Sequence, residues 1–348
     1  MGSWIPSWMA SWMASWVPSW MASLWSGSPA EDACVNSSNS SGPESITKIS
    51  NGVYKLSEPG GPLKVEIVFI HGLQLFDYRD AYWKTWIAGK TDKDGKEFCW
   101  PIAWLAGDVP GARIWSLSYD STALRTGTTG NVDGYASGES LVQEMVEFAK
   151  IGRHNCPVVF VCHSLGGLMV KEIVKHAHEK FGKDEKYKNF LQSIRGYLFY
   201  STPHDGSCLA DYCKHLPKMG KMVSRLEVIN DGIGRLNSSF EGIEKDYYPN
   251  RWQYSAIGEA HMTKVPCTGI AVKIVEETSA RHGYKHFMTA PADHFGVCKP
   301  EEKTSISYLR LLNLIEDVVG DKPSLQTNDE VKHDRSELIY SKVVQRMR

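Results

Sequence analysis

The sequence lacks a charge surplus. Lysine and arginine number 39 against 40 aspartates and glutamates, a formal net charge of −1, so nothing in the balance draws the chain to nucleic acid or to an anionic surface. It also lacks metal-type spacing. The eight cysteines, at 34, 99, 156, 162, 208, 213, 267 and 298, form no C-x-x-C pair and no Cys/His cluster, and no H-E-x-x-H occurs. Metal and cofactor are therefore both expected to be none. Gly89-Lys90-Thr91 is not a phosphate-binding loop, because position 84, where the earlier glycine belongs, is Lys84. Scattered cysteines in a chain of 348 residues fit free thiols inside a cell better than a disulfide framework. Beyond the N-terminal segment no run of eighteen apolar residues occurs, so the main body is not expected to cross a bilayer.

What is present is enough apolar sequence, 42% against 23% charged, to bury a full core. The ends differ from the middle. Residues 3 to 23 repeat Ser-Trp-x-(Ala or Pro), with Trp4, Trp8, Trp12, Trp16 and Trp20 in step and Pro6 and Pro18 interrupting any helix. Tryptophan favours the membrane interface, so this stretch is a candidate peripheral anchor. The plainer alternative is a passive leader. It has no Lys or Arg and so lacks the charged region of a signal or transit peptide. Met1-Gly2 resembles a myristoylation start, but Pro6 stands where Ser or Thr is wanted. The segment 26–45, rich in Ser, Asn, Gly and Pro, reads as a linker. The organisation expected is a leader and linker at 1–45, a folded domain at 46–320 and a charged tail at 321–348.

Within the domain, short apolar runs alternate with longer segments of helical period, the pattern of a mostly parallel sheet with helices on both faces. The runs are Val65–Ile70, Ala112–Tyr119, Val158–Cys162, Gly196–Ser201, Trp252–Ile257 and His286–Ala290. Glu139–Ile151 sets Leu141, Met145 and Phe148 on one helical face, Leu165–His178 sets Leu168, Met169 and Ile173, and Ile306–Val319 reads as a closing helix. Residues 207–250 are poorly periodic and make a candidate lid.

The sharpest motif is Pro157-Val-Val-Phe-Val-Cys-His-Ser-Leu-Gly-Gly-Leu168, a buried strand, a tight turn and a helix around Ser164. This is the pattern of a nucleophile elbow, in which small neighbours let the strand and helix backbones approach. Cys162 stands where the motif has its first glycine, while Gly166 and Gly167 keep the second half.

A serine needs a base, and an acid to orient that base. His294, in Ala-Asp-His-Phe-Gly after the last strand, has the right chain position for the base. For the acid, Glu259 lies just beyond the preceding strand; Glu276 and Glu277 compete, and Asp293 is a weaker alternative. The oxyanion of an acyl-transfer intermediate needs two backbone donors, each contributing on the order of 3 kcal/mol. Leu165, after the nucleophile, and Leu73, in the loop after Phe-Ile-His-Gly, are the candidates, which leaves His71 a structural role. His204 and Asp205, in Ser-Thr-Pro-His-Asp-Gly-Ser, either shape the site or hold a turn.

Taken in order, Phe-Ile-His-Gly-Leu, Trp-Pro-x-x-Trp-Leu at 100–105, Ala-Arg-Ile-Trp-Ser-Leu-Ser-Tyr-Asp at 112–120, Cys-His-Ser-Leu-Gly-Gly-Leu-Met-Val-Lys, Ser-Thr-Pro-His-Asp-Gly-Ser and Ala-Asp-His-Phe-Gly-Val-Cys-Lys resemble the serine-active-site-containing, lipase-like branch of the α/β-hydrolases over about 60–318. Asp205 departs from the Arg or His common there. The resemblance implies an α/β-hydrolase fold and hydrolysis of a carboxylic ester, foremost of a lipid, through an acyl-enzyme on Ser164. It also implies an intracellular place, with mitochondrial or endoplasmic-reticulum membrane association and phosphatidylglycerol remodelling among relatives. An acyltransferase using the same three residues and a non-catalytic binding module of the same fold are the rival readings. No nucleic-acid partner is expected, and the oligomeric state is left open by the sequence.

Overall fold

The computed structural model describes residues 45–74, 80–121, 133–153, 156–215, 220–265 and 268–320. The Trp repeat and the charged tail lie outside them. Among the described residues ten strands are seen: β1 Thr47–Lys48, β2 Val53–Ser57, β3 Val65–Ile70, β4 Ala112–Leu117, β5 Val158–His163, β6 Ile194–Tyr200, β7 Gln253–Glu259, β8 Thr263–Lys264, β9 Ala271–Val272 and β10 Phe287–Ala290. The longer helices are α1 Asp133–Gln143, α2 Gly166–Phe181, α3 Glu185–Ser193, α4 Leu209–Lys214, α5 Gly220–Tyr247, α6 Glu277–Arg281 and α7 Ile306–Gly320.

Eight strands form one sheet in the order β1-β2-β4-β3-β5-β6-β7-β10. Only β2 runs against the rest, pairing antiparallel with β1 and with β4; from β4 to β10 every pairing is parallel. Parallel strands need crossovers, and crossover helices cover both faces, so the central strands are largely apolar rather than alternating; the buried Glu66 of β3 accepts from the Trp115 indole and the Gly152 amide. β3 and β5 are buried at every position. Their side chains divide by parity: Val68, Ile70, Phe160 and Cys162 join the core under α1, α2, α3 and α5, while Ile67, Phe69, Val159 and Val161 join the core under α7 and the Trp86–Leu105 segment.

Two expectations fail for physical reasons. Phe148 is 61% exposed, not aligned with Leu141 and Met145. After Gln143 the helix widens into a π turn, Glu144–Phe148, in which the Ala149 amide bonds the Glu144 carbonyl. That wider turn brings Ala149 rather than Phe148 onto the buried face. The 207–250 segment is likewise not a loose insertion throughout. It forms α4 and α5, and Ile233, Leu236, Phe240 and Ile243 of α5 are buried in the core, so that half of the candidate lid is a fixed layer of the fold. The interspersed Gly and Lys residues had obscured its helical period. Sequence reading also passed over β1, β2 and α3; the last is capped by Asp184, whose carboxylate accepts from the Lys186 amide at 2.9 Å.

Candidate active site

The turn between β5 and α2 carries Ser164 in the left-handed region, at φ 52°, a conformation that costs a non-glycine residue energy and persists only when its surroundings enforce it. They do. The Ser164 amide donates to the Tyr200 carbonyl of β6 at 2.8 Å. α2 is pressed so close behind it that a Cβ on Gly166 would lie 2.3 Å from the Ile70 carbonyl, and one on Gly167 2.3 Å from Thr202. Cys162 is fully buried among the apolar side chains beneath α2, where a thiol packs as a small hydrophobe. A mostly parallel eight-stranded sheet with one antiparallel edge, whose β5 leads into a strained serine elbow, decides the architecture.

This is an α/β-hydrolase fold.

In this hydrolase fold β7 ends on Glu259, and the loop after β10 carries His294; β7 and β10 pair so that Ala290 lies opposite Glu259. Both side chains are buried. The Ser164 hydroxyl donates to His294 Nε2 at 2.8 Å, and His294 Nδ1 donates to Glu259 Oε2 at 2.7 Å. The second carboxylate oxygen, Oε1, accepts the amides of Ile274 and Val275 at 2.9 and 3.1 Å. Burial pushes the Glu259 carboxyl up, but the His294 bond and charge and the Val275 amide outweigh it and hold the group below the usual carboxylate range. The His294 amide donates to Thr263 Oγ1 at 3.1 Å.

The competing acids are elsewhere. Glu277 is exposed and paired with Arg281 at 2.6 Å. Glu276 precedes α6 as its N-cap, and Asp293 accepts the Gly296 amide at 2.9 Å, closing its own turn.

The loop after β3 runs directly against Ser164: a Cβ on Gly72 would lie 2.7 Å from the Ser164 Cβ. His71 fixes that loop. Its ring stacks on Tyr119 at 4.4 Å, accepts the Tyr119 amide at Nε2 and donates from Nδ1 to the Gly72 carbonyl at 2.7 Å. Burial lowers the His71 pKa to about 4, so the ring is neutral. In a trans peptide the carbonyl of Gly72 and the amide of Leu73 point oppositely, so drawing the carbonyl toward His71 turns the Leu73 N–H away from it. Leu165, the residue before α2, presents its amide at the helix N-terminus.

The bonds of His204 and Asp205 run away from these three residues. His204 is buried and receives the Lys171 ammonium at Nδ1, 2.9 Å away; Lys171 also donates to Asn237 Oδ1 at 2.6 Å, and Asn237 donates to the His204 carbonyl at 2.7 Å. Asp205 pairs with His282 at 3.1 Å. Both therefore pin the 201–207 turn to α2, α5 and α6. Sequence reading missed Lys171, Asn237, Thr263 and the amides of Ile274 and Val275. Backbone donors leave no trace in residue identity, but a lysine on an otherwise apolar α2 face was a visible signal.

Among the described residues no group of three or more His, Cys, Asp or Glu side chains is arranged to hold a metal, and no helix is long and apolar enough to cross a membrane. Residues 104–224 match the family model described as "Putative serine esterase (DUF676)". The chain is 30% identical to Protein SERAC1 of Danio rerio over 291 residues and 29% identical to that of Homo sapiens over 293, covering 78% of this chain in each case. It spans 42% of the length of these relatives. Similar solved structures include the mature lipase BlEst2 of Bacillus licheniformis, at 18% identity and a TM-score of 0.44 over 76% of this chain and 97% of that one. The phospholipase PlaB of Legionella pneumophila gives 14% and 0.45 over 74% and 61%.

Proposed function

We propose that this chain is a serine hydrolase of carboxylic esters that works through an acyl-enzyme on Ser164. The observation that carries the reading is the buried hydrogen-bonded series from the Ser164 hydroxyl through the His294 imidazole to the Glu259 carboxylate, at 2.8 and 2.7 Å.

In the proposed reaction His294 Nε2 takes the hydroxyl proton as Ser164 Oγ bonds to the ester carbonyl carbon. Glu259 keeps the ring's other proton on Nδ1, so Nε2 is free to accept, and it offsets the positive charge the ring gains. The carbonyl oxygen becomes an oxyanion held by the amides of Leu165 and Leu73. The imidazolium then protonates the departing alkoxide, the carbon–oxygen bond to it breaks, and the acyl group remains on Ser164. Water enters, gives its proton to His294 and attacks the acyl carbon. Collapse releases the acid and returns the proton to Ser164.

The serine-esterase family match supports the ester as the bond cleaved. A lipid as its carrier, and contact with a membrane through the Trp repeat, rest on the resemblance and on the interfacial preference of tryptophan. The deciding experiment is labelling by a fluorophosphonate probe, which reacts with an activated serine and not with an ordinary one. Wild type should label and Ser164→Ala should not. A folded wild type that stays unlabelled would sink the reading. For the lipid part, deletion of residues 1–28 should leave hydrolysis of a short soluble ester unchanged and reduce hydrolysis of dispersed phospholipid; phospholipid hydrolysis undiminished by the deletion would remove the membrane argument.

A further inference from the structure

His163, the residue before the nucleophile, has no place in the proton path above, yet it is buried beside the base. Its Nε2 lies 2.8 Å from the main-chain oxygen of His294. A carbonyl only accepts, so Nε2 carries the hydrogen and the neutral ring leaves Nδ1 bare. That Nδ1 is buried without a partner, an arrangement that costs stability and that an apolar side chain of similar size would avoid. The ring lies tilted beside that of His294, with centroids 5.2 Å apart. On its other side is the loop after β3: a Cβ on Gly72 would come within 3.1 Å of His163 Nδ1. One imidazole therefore touches the elbow, the loop of the base and the loop of the oxyanion donor.

The other main-chain ties of the 291–294 region run elsewhere: the Ala292 carbonyl accepts the amides of Ala260 and His261 at the end of β7, the Ala292 amide donates to the Ala290 carbonyl, the Asp293 carbonyl accepts the amides of Gly296 and Val297, and the His294 amide donates to Thr263 Oγ1. The His163 bond alone among these reaches from His294 itself to the elbow. We propose that His163 is a positioning residue for the base: by donating Nε2–H to the His294 carbonyl it ties the base's loop to the nucleophile elbow and keeps His294 Nε2 in line with the Ser164 hydroxyl. The proposal rests on the serine-hydrolase reading of Ser164, His294 and Glu259. Burial, with His294, Lys299 and His71 adding to it and the carbonyl bond opposing, lowers the His163 pKa to about 3. The ring so stays neutral beside the imidazolium that forms at His294, and its donor geometry does not change during turnover.

The test compares wild type, His163→Leu, which fills the space without a donor, and His163→Gln, whose amide nitrogen reaches roughly as far as Nε2. Thermal midpoint, kcat and KM on p-nitrophenyl butyrate, and the rate of fluorophosphonate labelling are measured for each. Misplacing a reacting group by an ångström costs about 100-fold, so His163→Leu should lose roughly 10- to 100-fold in kcat and in labelling rate while KM stays within about two-fold. His163→Gln should recover most of the loss, a rescue that packing alone would not produce. A folded His163→Leu that labels at the wild-type rate overturns the proposal, as does a folded His163→Gln no faster than the leucine variant. If the leucine variant does not fold, the glutamine variant decides: below about one-tenth of the wild-type kcat the proposal falls. An unlabelled wild type would overturn the hydrolase reading and this one with it, whereas a labelled wild type with an equally fast leucine variant overturns this one alone.

Discussion

Replacing Glu259 by glutamine keeps the shape of a buried side chain while changing what it asks of His294. The Oε1 position accepts two amides, from Ile274 at 2.9 Å and Val275 at 3.1 Å. A glutamine must put its carbonyl oxygen there, since an NH2 group would face two donors at once. Its NH2 then faces His294 Nδ1, 2.7 Å away in the wild type, and can be satisfied only if Nδ1 is bare. The ring shifts its proton to Nε2, which now donates toward Ser164 instead of accepting from it. Fold and contacts survive but the base is lost, and the wrong tautomer in such a triad lowers kcat by about 10⁴-fold. The assay is kcat and KM on p-nitrophenyl butyrate with thermal unfolding as the control for folding. Glu277→Gln serves as the comparison, because that carboxylate is exposed and pairs with Arg281 on its own helix. A Glu259→Gln variant that stays within ten-fold of wild type, or that matches Glu277→Gln, would refute the tautomer reasoning and with it the role proposed for Glu259.

Three further outcomes are expected. Burial lowers the Lys171 pKa to about 8, despite the opposing charges of Glu241 and Asp205, against 10.5 ordinarily. Between those values the unfolded chain binds more protons than the folded one, so stability should rise with pH across that window, by on the order of 3 kcal/mol relative to Lys171→Met; parallel denaturation curves for the two proteins from pH 7.5 to 10.5 would count against it. Gly166→Ala forces a methyl to 2.3 Å from the Ile70 carbonyl, a backbone atom that cannot step aside, and should cost about 3 kcal/mol in urea denaturation. Gly182→Ala, which meets nothing within 4 Å, should be nearly neutral, and equal midpoints for the two would refute the close-approach argument. His71→Phe keeps a ring against Tyr119 but removes the donor to the Gly72 carbonyl, so kcat should fall about 10-fold with KM little changed; an unchanged kcat would mean that His71 does not set the Leu73 amide.

The sequence by itself determined the parts whose physics is local. A strand buried on both faces is apolar at nearly every position, so Val65–Ile70, with Glu66 its one charged residue, and Val158–Cys162 were legible as inner strands of a parallel sheet. The elbow was legible because only small residues at 166 and 167 allow the approach seen to Ile70 and Thr202, and Ser164, Glu259 and His294 could be nominated from their order after strands. Whatever depends on the path of the chain between elements was not legible. Glu259, Glu276, Glu277 and Asp293 are the same chemistry within a short span of sequence, and the tertiary structure decided that only Glu259 meets His294, because parallel pairing of β7 with β10 sets the end of one strand beside the loop of the other. The turn at Glu144 that sent Phe148 outward, the half of α5 that became core, and the amides that hold the Glu259 carboxylate were decided there too. A hydrophobic period is written in side chains, whereas the helical pitch at one turn and the direction of a backbone N–H are fixed by what packs against them.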